Sequence, residues 1–185
     1  MPKASTATET FWYKMSTPLR NNKFLTSKGA GAGVVGEDEN NYASSMWKFV
    51  ARADGKGLDI VNRQDNSFLA PTANYNKQIS TSATQPANGW TLSYSNTPGL
   101  FIVSSGTLQL NQTTLDGTPV YNWSAGESGT DRSDTGCQYQ IALVEGEPDE
   151  LPDASVATLT LGLDQFANGA ATWSYHGGAT SGGWY

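Results

Sequence analysis

Cysteine and histidine are almost absent from this chain of 185 residues, which contains one of each. Because Cys137 has no second cysteine to pair with, no intrachain disulfide can form, and the fold must depend on a buried core. His176 lies in a glycine-rich segment, and no neighbouring residues suggest a catalytic triad or a metal cluster. Two carboxylates could still meet in space as in glycosidases, but no motif marks such a pair. We therefore expect no enzyme, no metal site and no cofactor.

Charged residues are also scarce, at 15% of the chain, and the formal net charge is −6. An acidic chain repels phosphate backbones, so we expect no nucleic-acid partner. No apolar run approaches the roughly 18 residues of a membrane-spanning helix, so we expect no membrane partner. The first residues lack the apolar segment of a leader peptide. The abundance of glycine and of uncharged polar residues is typical of extracellular all-β proteins. We therefore expect a secreted or cell-surface protein whose leader has been removed.

Short runs of aliphatic, aromatic and β-branched residues, separated by Gly, Asn and Asp, occupy most of the chain as far as residue 145. Such runs predict strands, because Gly, Asn and Asp supply the backbone conformations of turns. No stretch shows sustained helical periodicity. The pattern predicts twelve strands, at residues 11–16, 23–27, 34–35, 46–51, 58–62, 67–71, 77–82, 90–95, 100–104, 107–111, 119–124 and 138–144.

Markers in these strands repeat with a period in the mid-forties. The runs MWKFVA, GWTLSY and QYQIAL place Trp47, Trp90 and Tyr139 at intervals of 43 and 49 positions. The opening strands align as WYKM, LDIV and LFIV at intervals of 46 and 42, and the second strands align as KFLT, SFLA and TLQL. Independent markers with one period indicate three repeats of four strands, with the recurring aromatic residues in a shared core.

Three four-stranded units favour a closed arrangement, because many open strand edges would invite aggregation. A propeller normally has at least four blades. We therefore predict an all-β fold, a β-trefoil with three pseudo-repeats and a C-terminal extension. The trefoil spans residues 11–145, and its repeats cover 11–56, 57–98 and 99–145. We expect a disordered lead-in over 1–10, a linker over 146–155, and an extension or the stump of a following domain over 156–185.

The third repeat carries a resemblance to a known family. The stretch GTPVYNWSAG at 117–126 and CQY at 137–139 resemble the GTPVQLW and Q-x-W motifs of ricin-type β-trefoil lectin-like domains. They are most similar to the divergent members attached to secreted polysaccharide-active proteins. The resemblance implies a β-trefoil and sugar binding. In this family an Asp on the second strand and an Asn–Gln pair bind sugar hydroxyls, and the Trp on the third strand stacks on the sugar ring.

Only part of the family's site carries over to this chain. Trp123 matches the stacking Trp, whereas residues 35–38 and 79–82 of the other repeats lack an aromatic residue there. The position of the sugar-binding Asp falls on Thr26, Ala70 and Leu110. The Gln of Q-x-W falls on Ser45, on Asn88 or Gly89, and on Cys137.

Trp123 is the strongest ligand-binding candidate. Alternation along a strand places it on the same face as Tyr121. We expect a sugar ring to stack on this aromatic face while Asn111, Asp116 and Asp131 bind its hydroxyls. The other interpretation is that Trp123 fills space under the long loop that follows it, because aromatic residues serve cores and binding surfaces alike.

Two functions follow from these patterns. The first is a non-catalytic, lectin-like carbohydrate-binding module of a larger secreted protein. It would bind a glycan or polysaccharide weakly, as a monomer or as part of a multidomain chain. The alternative is a structural or protein-interaction trefoil without sugar binding. Exposure of Trp123 distinguishes the two, because a stacking ring must be accessible and a space-filling ring must be buried.

Overall fold

The structure, a computed structural model, describes residues 1–124 and 131–150, all within one compact unit, Met1–Leu151. The extension predicted over 156–185 lies outside the described residues. The described part consists of thirteen strands and one short 3-10 turn, and the predicted all-β fold is confirmed. No helix in this part has the length and apolar character needed to cross a membrane.

Each of the twelve predicted strands overlaps an observed one. The first repeat contains β1 (Tyr13–Ser16), β2 (Phe24–Thr26), β3 (Val35–Glu37), the 3-10 turn (Ala43–Ser45) and β4 (Trp47–Ala51). The second contains β5 (Leu58–Asn62), β6 (Phe68–Ala70), β7 (Lys77–Gln78), β8 (Ser80–Ser82) and β9 (Thr91–Tyr94). The third contains β10 (Phe101–Ser105), β11 (Leu108–Gln112), β12 (Val120–Trp123) and β13 (Gln138–Leu143). The strand predicted over 77–82 is divided into β7 and β8 at Ile79.

Six strands close into a barrel through antiparallel neighbours. β1 pairs with β4 and β13, β4 with β5, β9 with β10, and β10 with β13. A bridge between Leu58 and Trp90 joins β5 to the start of β9 and completes the ring. Six of the remaining strands form three hairpins, β2–β3, β6–β8 and β11–β12, and β7 pairs with β12. This arrangement is the β-trefoil that the repeats predict.

Three buried residues, one from each repeat, join the hairpins in a closed ring of backbone hydrogen bonds. Val34 N–H donates to the carbonyl of Ile79 at 2.8 Å, and Ile79 N–H donates to the carbonyl of Val120 at 2.8 Å. Val120 N–H donates to the carbonyl of Val34 at 3.0 Å and closes the cycle. All three side chains are fully buried. Ile79 therefore makes its backbone hydrogen bonds with the other two repeats and not with its own hairpin. This interruption divides the predicted strand into β7 and β8.

The recurring aromatic residues Trp47, Trp90 and Tyr139 are fully buried in one core cluster. The two indole N–H groups make the same bond in their repeats: Trp47 Nε1 donates to the carbonyl of Leu25, and Trp90 Nε1 donates to the carbonyl of Leu69, each at 2.8 Å. The hydroxyl of Tyr139 has no hydrogen-bond partner among the described residues. The repeats therefore share one core, and the third uses a smaller aromatic residue in it.

Strand pairing corrects two of the sequence alignments by one residue. The aromatic anchors pair with Tyr13, Leu58 and Phe101, so Leu58 corresponds to Tyr13 and not to Trp12. In the hairpins, Ser16 pairs with Phe24 and Ser104 with Gln109, so Leu110 corresponds to Leu25. Two neighbouring residues are both buried at such places, for example Ile60–Val61 and Leu108–Gln109. A sequence alignment that is wrong by one residue therefore still matches buried positions with buried positions.

Residues of the predicted lead-in and of the start of the predicted linker form backbone hydrogen bonds with the first repeat. Ser5 is buried, its N–H donates to the carbonyl of Phe49 at 2.6 Å, and its hydroxyl accepts the N–H of Phe11 at 3.0 Å. At the other end, Asp149 N–H donates to the carbonyl of Asn41 at 2.8 Å. Backbone bonding to the first repeat therefore holds both segments. The rest of the predicted linker, 151–155, lies outside the described residues.

Replacing Trp90 with Ala should lower the free energy of unfolding by about 3–5 kcal/mol, the usual cost of deleting a large buried aromatic side chain. The loss of its bond to the carbonyl of Leu69 adds to the cavity cost. Urea denaturation of the wild type and the variant measures the change. Tyr94→Ala, at a 58% exposed site four positions on, is the control and should change stability little. Equal unfolding midpoints for Trp90→Ala and the wild type would contradict the core assignment.

Candidate functional site

The predicted aromatic residues line a pocket of about 260 Å³ beside the β11–β12 hairpin. Asn111 pairs with Tyr121, and Gln109 pairs with Trp123, which places these side chains on one face of the hairpin. Three of the five predicted site residues, Trp123, Tyr121 and Asn111, line this pocket. Its wall also contains Arg20 and Asp134, which the sequence did not single out.

The indole of Trp123 is half-buried. It packs against Ile102 and Cys137, a small cluster apart from the main core. The ring of Tyr75 lies beside it, with centroids 5.2 Å apart and planes tilted by 38°. Trp123 therefore supports the loops around it and also presents part of its surface to the pocket, so it is neither fully exposed nor fully buried.

The carboxylate of Asp134 is held by three donors on one oxygen. Its Oδ1 accepts hydrogen bonds from Asn111 Nδ2 at 3.1 Å, Arg20 Nη2 at 3.2 Å and the Gly136 N–H at 2.8 Å. Oδ2 accepts no hydrogen bond from any described residue. Asp134 lines the pocket, and a carboxylate oxygen without a hydrogen-bond partner can accept a bond from a hydroxyl group.

Arg20 reaches this site from the turn between β1 and β2. Its Nε donates to Thr135 Oγ1 at 3.1 Å, next to the bond from Nη2 to Asp134. Arg20 and Asp134 are 114 positions apart in the chain, and the barrel closure by β1 and β13 brings them together. The sequence pattern of the third repeat alone therefore does not indicate Arg20. The SDTG turn at 133–136 is visible in the sequence, but nothing there indicates that its carboxylate meets Asn111.

Strand pairing makes Asn111 the third-repeat equivalent of Thr26, on which the family resemblance places the sugar-binding Asp in the first repeat. The sequence alignment placed that position on Leu110, but the corrected register makes Leu110 the buried equivalent of Leu25 and moves the position to Asn111. Asn111 is 4% exposed, and its Nδ2 also lies 3.2 Å from the sulfur of Cys137. The Asn111 amide therefore contacts both Asp134 in the pocket wall and the buried Cys137 beneath it.

The structure does not bring the other two predicted residues, Asp116 and Asp131, into the pocket lining. Asp116 is exposed on the loop between β11 and β12. The side chain of Asp131 accepts hydrogen bonds from the hydroxyl of Ser133 at 2.6 Å and from its N–H at 2.8 Å. These two bonds lower the pKa of the Asp131 carboxyl below its ordinary value, with the bond from the hydroxyl the larger cause. Asp131 thus stabilises its own turn.

The equivalent positions of the other repeats carry no aromatic ring. Glu37 stands where Trp123 stands in the third repeat and pairs with Lys28, and Ser82 bonds within its own turn. A larger cavity of about 410 Å³ adjoins the second repeat, and none of the described residues that line it is aromatic. Among the described residues, no group of three or more His, Cys, Asp or Glu side chains is arranged to hold a metal ion.

Comparison with known proteins identifies the fold. No protein-family model and no curated protein matches the sequence. The designed threefold-symmetric protein ThreeFoil is 17% identical, with a TM-score of 0.59 over 71% of this chain and 97% of its own. The ricin B-like lectin of Macrolepiota procera, solved with lactose, is 15% identical, with a TM-score of 0.59 over 77% of this chain and 98% of its own.

A module of a larger enzyme has the same fold. The exo-β-1,3-galactanase 1,3Gal43A of Clostridium thermocellum is 20% identical, with a TM-score of 0.59 over 77% of this chain but only 31% of its own. At these identities the likeness concerns the fold. The chain has the β-trefoil fold of ricin B-like lectins, in a divergent form, and this fold occurs both in free-standing lectins and as one part of longer chains.

The thiol of Cys137 should resist alkylation in the folded protein. Burial raises its pKa from 9.0 to about 12, which lowers the thiolate fraction at pH 8 about a thousandfold. Iodoacetamide at pH 8, followed by mass spectrometry, should leave the native protein unmodified and label the guanidinium-unfolded protein completely. Labelling of the native protein as fast as the unfolded control would show that Cys137 and the residues packed on it are accessible.

Proposed function

We propose that this protein is a non-catalytic carbohydrate-binding module with one sugar site, the third-repeat pocket. One arrangement carries the proposal: the aromatic wall of Trp123 and Tyr121 stands beside the Asp134 carboxylate, which has one oxygen available. A pyranose has an apolar face of C–H groups and a rim of hydroxyls. The aromatic wall suits the first feature and the carboxylate suits the second.

The polar part of the site is preorganised for such a ligand. Asn111, Arg20 and the Gly136 N–H fix the orientation of Asp134 before anything binds. A hydrogen bond from a hydroxyl to a carboxylate is charge-assisted, and a fixed carboxylate loses little entropy on binding. Arg20 also neutralises much of the charge on Asp134, so the pocket does not require a cationic ligand. These features favour a neutral polyol such as a sugar.

Only one carboxylate among the described residues lines this pocket. Glycoside hydrolysis ordinarily needs two carboxyl groups on opposite sides of the scissile bond, so the site supports binding and not cleavage. A single shallow site predicts weak affinity, with a dissociation constant on the order of 0.1–1 mM. Such affinity suits a module that keeps the rest of a larger secreted protein near a polysaccharide.

The surroundings of the module are part of the same proposal. We infer a secreted or cell-surface protein in which this trefoil is one domain and acts as a monomer. The Clostridium galactanase and the endo-β-galactosidase of Clostridium perfringens, in which the matched region is 31% and 33% of the chain, support this interpretation by likeness of fold. The low charge content and the many uncharged polar residues agree with an extracellular location.

The second candidate function is a structural or protein-interaction trefoil without sugar binding. The packing of Trp123 against Ile102, Cys137 and Tyr75 favours it, because a ring held on several sides can serve as filler under loops. In that case, the pocket beside Trp123 would bind no glycan.

The test is a glycan array followed by titration of variants against its strongest hit and against lactose. Trp123→Ala should weaken binding at least about tenfold, because it removes the stacking surface. Asp134→Asn should do the same, because it removes the charge while it keeps the size of the side chain. Isothermal titration calorimetry or NMR chemical shifts measure both affinities.

Two controls separate loss of binding from loss of folding. Trp123 packs against Ile102, so its variant must first show a wild-type circular dichroism spectrum and a cooperative thermal transition. Asp116→Asn, at an exposed carboxylate that does not line the pocket, should bind like the wild type. Wild-type affinity in a folded Asp134→Asn variant would place the sugar elsewhere. Silence across a broad array would favour the structural trefoil.

A further inference from the structure

Tyr75 presents an aromatic surface next to the third-repeat pocket but outside it. Its side chain is 53% exposed, and it lies on the loop between β6 and β7 of the second repeat. Its ring centroid is 5.2 Å from that of Trp123, and the two planes are tilted by 38°. Trp123 lines the pocket and Tyr75 does not. The aromatic surface therefore continues past the edge of the pocket, onto a residue from another repeat.

The loop that carries Tyr75 forms a ridge between two cavities. We call residues 71–76 the ridge. Pro71, Thr72 and Ala73 line the cavity of about 410 Å³, whereas Asn76 lines the pocket of about 260 Å³. The loop that carries Tyr75 therefore contributes residues to both cavities.

Asn122 of β12 anchors the ridge at both ends. Its carbonyl accepts the N–H of Asn76 at 2.8 Å, and its Nδ2 donates to the carbonyl of Thr72. Asn122 is fully buried, and it directly precedes Trp123 in the sequence. The strand that carries the pocket's indole thus also fixes the backbone on both sides of Tyr75. The two rings are therefore held in a defined relation, and their pairing does not depend on a free loop.

The pocket by itself is small. At about 260 Å³ it lies below the range of roughly 300–1,000 Å³ that is typical of sites for drug-sized ligands, so it suits one sugar unit. A second unit, linked to the first, would lie over the exposed ring. Tyr75 packs against Trp123 but is 53% exposed, so part of its ring remains accessible to that second unit.

We propose that Tyr75 forms a second subsite, so that the ligand of this module is an oligosaccharide or polysaccharide segment of at least two units and not a single terminal sugar. This inference rests on the proposed function, because it requires the pocket beside Trp123 to hold a sugar. Tyr75 supplies stacking for the second unit. The pocket, with Asp134 and Trp123, supplies the orientation of the first.

The test measures affinity against chain length in two neutral ladders: galactose, β-1,3-galactobiose and β-1,3-galactotetraose, and xylose, xylobiose and xylotetraose. In the ladder that binds, the wild type should gain about tenfold in affinity from one unit to two, the worth of one stacked aromatic contact. Tyr75→Ala should lose this gain and keep the affinity for the single unit. Tyr75→Phe keeps the ring and should retain the gain.

Tyr94→Ala is the matched control. Tyr94 is exposed to a similar extent, 58%, and pairs with Phe101 at 5.5 Å and 32°, but it lines neither cavity. It should leave the whole ladder unchanged.

Four results would overturn the inference. Affinity independent of chain length, or a gain that survives in Tyr75→Ala, removes the second subsite and leaves the proposed function standing. An equal loss at every length in Tyr75→Ala assigns Tyr75 the role of supporting Trp123, and again removes the subsite. No binding by the wild type at any length in either ladder overturns this inference, and the glycan array decides separately whether the proposed function stands.

Discussion

The closed cycle of backbone hydrogen bonds among Val34, Ile79 and Val120 is the constraint on which the rest of the structure depends. Each of these buried residues has an N–H and a carbonyl that would be costly to leave unpaired. One repeat cannot satisfy them alone, because each donor finds its acceptor in another repeat. The three hairpins must therefore assemble together, and the aromatic core of Trp47, Trp90 and Tyr139 packs around the same axis.

Symmetry of the core leaves the surface free to differ between repeats. Strands alternate their side chains between two faces, so the inward residues are held to a common pattern while the outward ones are not. Glu37, Ser82 and Trp123 occupy equivalent outward positions and differ in chemistry, although the cores beneath them are alike. The aromatic wall of Trp123 can therefore exist in one repeat without a change in the core that all three share.

The site is a product of assembly. Trp123, Asn111 and Asp134 belong to the third repeat, Arg20 to the first, and Tyr75 to the second. Pairing of β1 with β13 closes the barrel and brings Arg20 to Asp134. The candidate site therefore forms only when the barrel closes, and a change in barrel closure would also change the orientation of the Asp134 carboxylate.

The sequence by itself determined the three repeats, the approximate strand positions and the aromatic core anchors. It also singled out Trp123 as the strongest ligand-binding candidate. These features are local, because turn residues, alternation and a regular period are visible along the chain. The tertiary structure decided the register of β5 and β11, where adjacent buried residues make two alignments look alike. It also decided that Arg20 and Asp134 share a pocket with Trp123 and that Tyr75 packs on its ring, because these residues lie on loops far apart in the chain. Their proximity depends on closure of the barrel, which no local pattern encodes.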